Sequence, residues 1–264
     1  MDKTLAKGMA VMEYLVAQGT PCGVSDVARA MGLARSNAHR TLQTLVALGY
    51  ARQFPDASYG PTLKLFGLGA QVVGGLDVKR IAQPVLAALA QESQETIHLV
   101  VREGAEVIYL DKFDSPQPVA AYSKVGGRAA AQCVATGKAL LAWQCPAGEA
   151  GETWLRRELP VLTAYTPKSH QDYESLVTDL RETRTRGYAF NREEWRLGVC
   201  GLGAPIFDSQ GRLVAALGMS VPSIRFISRR VPTLAAALCR AAAATSAALG
   251  HEPGVTGEVA AGTR

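Results

Sequence analysis

Apolar positions along the chain switch between two periods. Near the N-terminus Leu5, Met9, Met12 and Val16 recur at helical spacing and predict an amphipathic helix with this stripe turned inward, ended by Gly19-Thr20-Pro21. Val24-Ser25-Asp26 reads as a hydrophobic residue, an N-cap and a first-turn acid, opening a second helix with Val27, Ala28 and Met31 inside and Gly32 as its stop. After that short turn a third helix is expected from about Ala34 to Leu48, with Ala38, Leu42, Leu45 and Val46 on its inner face and Gly49 closing it. Helix, glycine turn, helix is a helix-turn-helix. Tyr50 to Phe54, the turn Pro55-Asp56-Ala57-Ser58, and Tyr59-Gly60-Pro61 follow as a short hairpin, a wing. Residues 1–61 are therefore expected to form a winged helix-turn-helix domain.

Residues 62–77 read as a linker helix carrying Leu63, Leu65, Phe66 and Leu68, broken at Gly74-Gly75, with a further helix from about Val78 to Gln91. The period then shortens to that of strands. Ile97 to Val101 and Val107 to Leu110 are β-rich around Glu103-Gly104-Ala105, and a third strand is expected over Val119 to Lys124. Helical patterns follow near Thr136 to Trp143, Glu149 to Arg157 and Asp172 to Arg186. Strands are expected at Val199 to Phe207 and Leu213 to Val221, and an Ala-rich helix at Ser228 to Leu249. The fold class is α+β, with an antiparallel sheet and flanking helices over residues 78–250 and a flexible tail over 251–264. Such folds often hold a small ligand against the sheet.

Composition narrows the picture. With 264 residues, 48% hydrophobic and 19% charged, the chain can bury one sizeable core and a smaller one. Uncharged runs reach only about a dozen residues, short of the roughly 18 that a membrane span needs, so no membrane segment is expected. The acid at Asp2 and the amphipathic start do not fit a secretory signal, which places the chain in the cytoplasm. Cys22, Cys133, Cys145, Cys200 and Cys239 form no C-x-x-C pair, so neither a metal site nor a disulfide framework is expected and the five read as small buried hydrophobes.

The 28 basic and 23 acidic residues leave a net charge of +5, which permits a polyanionic partner without demanding one. Distribution decides. Between Asp26 and Asp56 no acid occurs, while Arg29, Arg35, Arg40 and Arg52 all do. The outward face of the third helix reads Arg35, Ser36, Asn37, His39, Arg40 and Gln43, every one a hydrogen-bond donor. Arg suits guanine, Asn and Gln suit adenine, and a Ser near the helix start suits a phosphate. With Ser25 on the second helix and Arg52 on the wing, these residues are the expected contacts to double-stranded DNA. For any single one, His39 above all, a phosphate or water contact stays as open as base readout.

On Val24-Ser25-Asp26-Val27-Ala28, Gly32 through Arg40 and Leu48-Gly49-Tyr50, the chain closely resembles the IclR family of bacterial transcription regulators. Further matches are Ala135-Thr136-Gly137-Lys138-Ala139-Leu140-Leu141-Ala142, Arg186-Gly187-Tyr188-Ala189, Glu193-Glu194, and Gly198 through Asp208. The resemblance runs from about Leu5 to Leu249. It implies a GAF-like effector-binding domain, a homodimer or homotetramer on a pseudopalindromic operator, a small organic acid as effector, and control of a catabolic operon. By position it assigns the effector to Ala135, Thr136, Asn191, Val199, Gly201, Gly218 and Ser220. Some family members have a cysteine at position 201, a serine at 218 and an acid at 191. The residues here are expected to enlarge the site and strip polar groups from it, favouring a bulkier, aromatic acid slightly over a small keto acid. Trp195 is then a ring-capping residue or a packed loop anchor.

Two other classes compete. An enzyme would need a motif that is missing. Thr136-Gly137-Lys138 imitates a phosphate loop, but Gln132 and Ala139 occupy the places of its first glycine and its hydroxyl, and no nucleophile, dinucleotide or metal signature is present. No catalytic residue or cofactor is expected. A sensor acting through a protein partner is the second alternative, and the acid-free third helix counts against it.

Overall fold

The computed structural model describes residues 2–74, 77–120, 123–148 and 150–252. Asp2 starts the first helix, α1 (Lys3–Gln18), by accepting the N–H groups of Thr4 and Leu5, and Gly19 ends it in the left-handed conformation at φ 68°. The buried residues of α1 are Val11 and Leu15; Leu5, Met9 and Val16 are exposed and Met12 half-buried. The stripe expected to face inward thus faces out. The helix carries two apolar stripes, and packing chose the one that fits against α3 (Arg35–Ala47). A second correction concerns Ser25, which lies within the first turn of α2 (Val24–Ala30); the capping position is Gly23. Gly32, at φ 62°, makes the turn between α2 and α3.

Around Val11, Leu15, Val27, Ala38, Leu42 and Leu45 the three helices close a small core, capped by fully buried Tyr59. Tyr59 belongs to the wing, β1 (Ala51–Gln53) and β2 (Tyr59–Pro61), an antiparallel pair, and it also bridges to Cys22. The wing therefore grows out of the core. The next helix, α4 (Lys64–Gly74), covers the expected linker, and Lys64 donates to the carbonyl of Leu48 at 2.7 Å. Gly75, half of the expected break, lies outside the described residues. The chain divides into two compact units near this point.

In the second unit α5 (Asp77–Ser93) leads into a six-stranded sheet of β3 (Thr96–Glu103), β4 (Glu106–Phe113), β5 (Arg128–Ala130), β6 (Ala189–Arg192), β7 (Val199–Phe207) and β8 (Leu213–Pro222). Its spatial order is β5-β4-β3-β8-β7-β6, antiparallel throughout. The period of two divides the side chains between two cores. Ile97, Leu99, Leu202, Ile206, Leu217 and Met219 face α5 and the last helix, α9 (Val231–Ala248). On the other face, Val100, Val107, Ala189 and Ala216 pack with α6 (Ala135–Gln144), α7 (Ala150–Glu158) and α8 (Tyr173–Arg186). Each fully buried Leu or Ile here contributes about 1.5–3 kcal/mol.

Three expectations need amending. No strand forms at Val119, Ala120, Ser123 or Lys124; the third strand of this half is β5, reached after a loop, because Gly126 and Gly127 supply the turn that delivers Arg128 to β4. Ala121 and Tyr122 lie outside the described residues. The four-residue β6 was not foreseen, being too short to show a period, and the sheet edge recruits it by pairing with β7. By length and composition α9 is apolar enough to cross a bilayer, which a search for uncharged runs misses because Arg240 interrupts it. Its Leu234, Leu238, Ala241 and Ala242 are spent on the sheet instead. Residues 253–264 of the expected tail lie outside the described residues.

Candidate functional site

The third helix is preceded by Ala34, an extended residue whose side chain caps nothing, so the N–H groups of Arg35 and Ser36 stay available to an anion. Around this end Arg35, Ser36, His39 and Arg40 are exposed and Asn37 half-buried; Ser25 and Arg52 are exposed on α2 and β1. Three of the expected contacts are already engaged. Arg40 Nη2 donates to Asn37 Oδ1 at 3.0 Å, which fixes the guanidinium on the helix surface. Gln43 Nε2 donates to the Tyr59 hydroxyl at 2.8 Å, so this amide ties the helix to the wing rather than standing free as a base reader. Arg52 lies 4.5 Å above the ring of Phe54. The acids at the ends of this stretch turn inward on themselves. Asp26 pairs with Arg29 at 3.6 Å, and Asp56 accepts from the side chain and backbone of Ser58, which lowers its pKa.

Within the second unit a cavity of about 510 Å³ opens between the sheet and the start of α6. All seven residues assigned to an effector line it: Ala135 and Thr136 at the start of α6, Asn191 on β6, Val199 and Gly201 on β7, Gly218 and Ser220 on β8. Glycines let the helix come this close. A Cβ on Gly203 would lie 2.4 Å from the Ala135 carbonyl oxygen, so only glycine permits the helix end to rest on β7. A Cβ on Gly218 would lie 2.3 Å from the Thr136 methyl. The expectation that position 218 adds room is therefore corrected, since Thr136 fills the space. Cys200 faces away from the cavity, as the strand period requires, and burial raises its thiol pKa.

Val134, which precedes α6, offers no side-chain cap, so this helix also presents free N–H groups, here buried. Lys124 and Arg196 stand at the rim, and neither has a carboxylate at ion-pair distance among the described residues. Asn191 is buried and its Oδ1 accepts from the N–H of Glu194 at 2.9 Å, which leaves its NH2 for a ligand. Trp195 also lines the cavity and stacks against Tyr165 with ring centroids 4.3 Å apart. The residue serves as anchor and wall at once.

One turn below the cavity, Lys138 is 1% exposed and bonds Asp179 at 2.6 Å and Glu194 at 2.6 and 2.8 Å. Burial pushes the Asp179 carboxyl up, but His170 and Lys138 outweigh it and hold the group well below the usual range. His170, Asp179 and Glu194 have the composition of a metal-ligand set, yet the ammonium of Lys138 already stands between the two carboxylates as their cation. Glu194 also accepts from the N–H of Arg192 and, through its carbonyl, from Thr166 and Ser169. This ion pair thus clamps the loop bearing Trp195 and Arg196 to α6.

The expectations omitted His98, Tyr109, Ser123, Lys124, Trp195 as an assigned contact, and Arg196. A polar His98 inside the apolar run of β3 was the one signal available in advance.

Comparison with known proteins gives a consistent picture. Residues 70–247 match the family description "Bacterial transcriptional regulator IclR C-terminal", and residues 4–55 match "IclR helix-turn-helix domain". The chain is 31% identical over 252 residues to the transcriptional regulator XynR of Escherichia coli K12, covering 94% of this chain and 98% of that one. To KdgR of the same organism it is 32% identical over 230 residues, covering 87% and 86%. Among solved structures, IclR of Thermotoga maritima superimposes with a TM-score of 0.79 at 28% identity, covering 95% of this chain and 100% of that one. An IclR homologue from Microbacterium hydrocarbonoxydans complexed with 4-hydroxybenzoate gives 0.80 at 25% identity, covering 94% and 99%.

Proposed function

Since the chain belongs to the IclR family of bacterial transcriptional regulators, DNA-binding proteins and not enzymes, we propose that it is a cytoplasmic regulator whose grip on a pseudopalindromic operator is set by an aromatic carboxylic acid. The observation that carries this reading is the cavity, where buried N–H groups of α6 converge with two rim cations that have no acidic partner among the described residues. A carboxylate is the group such a site is built to accept. The N–H groups of Ala135 and Thr136 take its oxygens, the NH2 of Asn191 and the hydroxyl of Ser220 border it, and the carbonyls and hydrogens of Val199, Gly201 and Gly218 form the floor. Tyr109, Trp195 and His98 supply ring walls that an aliphatic keto acid would leave unfilled. A relative that holds 4-hydroxybenzoate supports the same choice.

On the DNA side, Arg35, Ser36, Asn37, His39 and Arg40 enter the major groove, with Ser25 and Arg52 on the flanking backbone and Gln43 supporting the wing. One such unit covers a few base pairs, so the regulator works as a homodimer or higher homo-oligomer, with half-sites near multiples of about 10 bp apart. The exposed apolar stripe of α1 (Leu5, Met9 and Val16) supports a second copy as partner. We further propose that the regulated genes form a catabolic operon for the sensed acid.

Gel-shift binding to the intergenic DNA upstream of the protein's own gene, with and without a panel of aliphatic and aromatic acids, tests the reading. A specific shift altered by an aromatic acid is expected. A shift altered by pyruvate or glyoxylate alone would overturn the effector class, and no shift with any DNA would favour a protein partner.

A further inference from the structure

One polar side chain in the cavity is buried too deeply to be incidental. His98, the third residue of β3, is 3% exposed between apolar Ile97 and Leu99. Its Nε2 lies 2.6 Å from Ser123 Oγ, and its other ring nitrogen has no hydrogen-bond partner among the described residues. The ring is held against Tyr109 with centroids 4.9 Å apart. Unlike the enclosed, unpaired atoms Asp111 Oδ2 and His251 Nδ1, this nitrogen is accessible, and on the wall of a ligand cavity an accessible nitrogen without a protein partner points to a ligand atom. Burial, and then the charge of Lys112, bring the imidazole pKa down to about 3 against a smaller opposing effect of Asp114. At neutral pH the ring is uncharged, with one nitrogen a donor and the other an acceptor.

We propose that His98 is a specificity-determining residue, whose unpaired ring nitrogen makes one hydrogen bond to a hydroxyl group that the effector carries apart from its carboxylate. This inference rests on the aromatic-acid reading of the cavity and narrows it to hydroxylated aromatic acids. The carboxylate itself is served by α6 and the rim cations, and an uncharged nitrogen adds little to holding an anion. A hydroxyl both donates and accepts, so it satisfies His98 in either tautomer that Ser123 selects, whereas an unsubstituted ring leaves the nitrogen idle and desolvated. Sites that hydrogen-bond a substrate hydroxyl reject the analogue lacking it far better than apolar pockets reject an extra group.

Calorimetric titration of the full chain with benzoate and the three monohydroxybenzoates tests the assignment. At least one hydroxylated isomer is expected to bind about tenfold or more tightly than benzoate. In His98→Phe that ratio falls towards one. Ser123→Ala, a change in a loop outside the core, lowers it by a smaller factor, because the ring loses the hydrogen bond that holds its orientation. A ratio is read because a merely structural defect weakens both acids alike. A wild-type ratio near one, or a ratio unchanged in both variants, overturns the role of His98. Failure of all four acids to bind overturns the aromatic reading beneath it, which is a different result.

Discussion

Of the helices that begin without a side-chain cap, α3 and α6 face opposite environments. The start of α3 is exposed, inside a stretch of chain that holds arginines and no acids. The start of α6 is buried, with every residue from Ala135 to Ala142 shielded from solvent. Both ends concentrate N–H groups and positive potential. In water such a potential is screened within about 8–10 Å, so α3 gains affinity only by adding many weak contacts along a polyanion, each releasing counterions. Inside the cavity the field is screened far less, and one carboxylate is enough. On the proposed function the same backbone device serves a long charged surface in one unit and a single small ion in the other, with burial making the difference.

The largest test of that contrast is salt. Between 50 and 200 mM, operator affinity is expected to fall about a thousandfold or more if some six phosphates are neutralised per complex, while effector affinity measured by calorimetry changes by less than about threefold. Parallel losses would erase the distinction. Next in size is Lys138→Met, which leaves Asp179 and Glu194 as uncompensated buried acids and should cost about 3–5 kcal/mol in urea unfolding. A loss under about 1 kcal/mol would mean that the ground beneath α6 is wet, and the low-dielectric half of the comparison would fall. The smallest effect concerns α3. Arg40→Ala should cost about 1–3 kcal/mol on the operator and little on random DNA if the guanidinium reads a base. Because Asn37 holds Arg40, Asn37→Ala should reproduce part of that loss, and the double variant should lose less than the sum. An equal loss on all DNA would reassign Arg40 to a phosphate.

Much of the first unit was legible in the sequence because its helices are short, amphipathic and punctuated by Gly19, Gly32 and Gly49, each at positive φ. What misled there was α1, where two stripes satisfy one period and the spacing alone does not say which meets the core. Ser25 misled similarly: a good capping residue stands one turn position too late once Gly23 takes the extended conformation. In the second unit, long strands announced themselves and the short ones did not. β6 exists because β7 offers an edge to pair with, and Val119, Ala120, Ser123 and Lys124 have no strand partner among the described residues while Arg128 finds one on β4.

The residues proposed to hold an effector divide along the same line. Ala135, Thr136, Asn191, Val199, Gly201, Gly218 and Ser220 could be placed by resemblance, and the strand period already turned Cys200 away from Gly201. Fold class, family and the acid-free third helix were all determined by the sequence, since each depends on neighbours within a few residues or on local motifs. Only tertiary structure decided which stripe of α1 is buried, that Gln43 is spent on the wing, that Thr136 fills the space above Gly218, and that His98, Tyr109, Ser123 and Arg196 share one cavity. Those facts rest on residues far apart in the chain meeting across a sheet, and no local pattern encodes which strand will lie beside which.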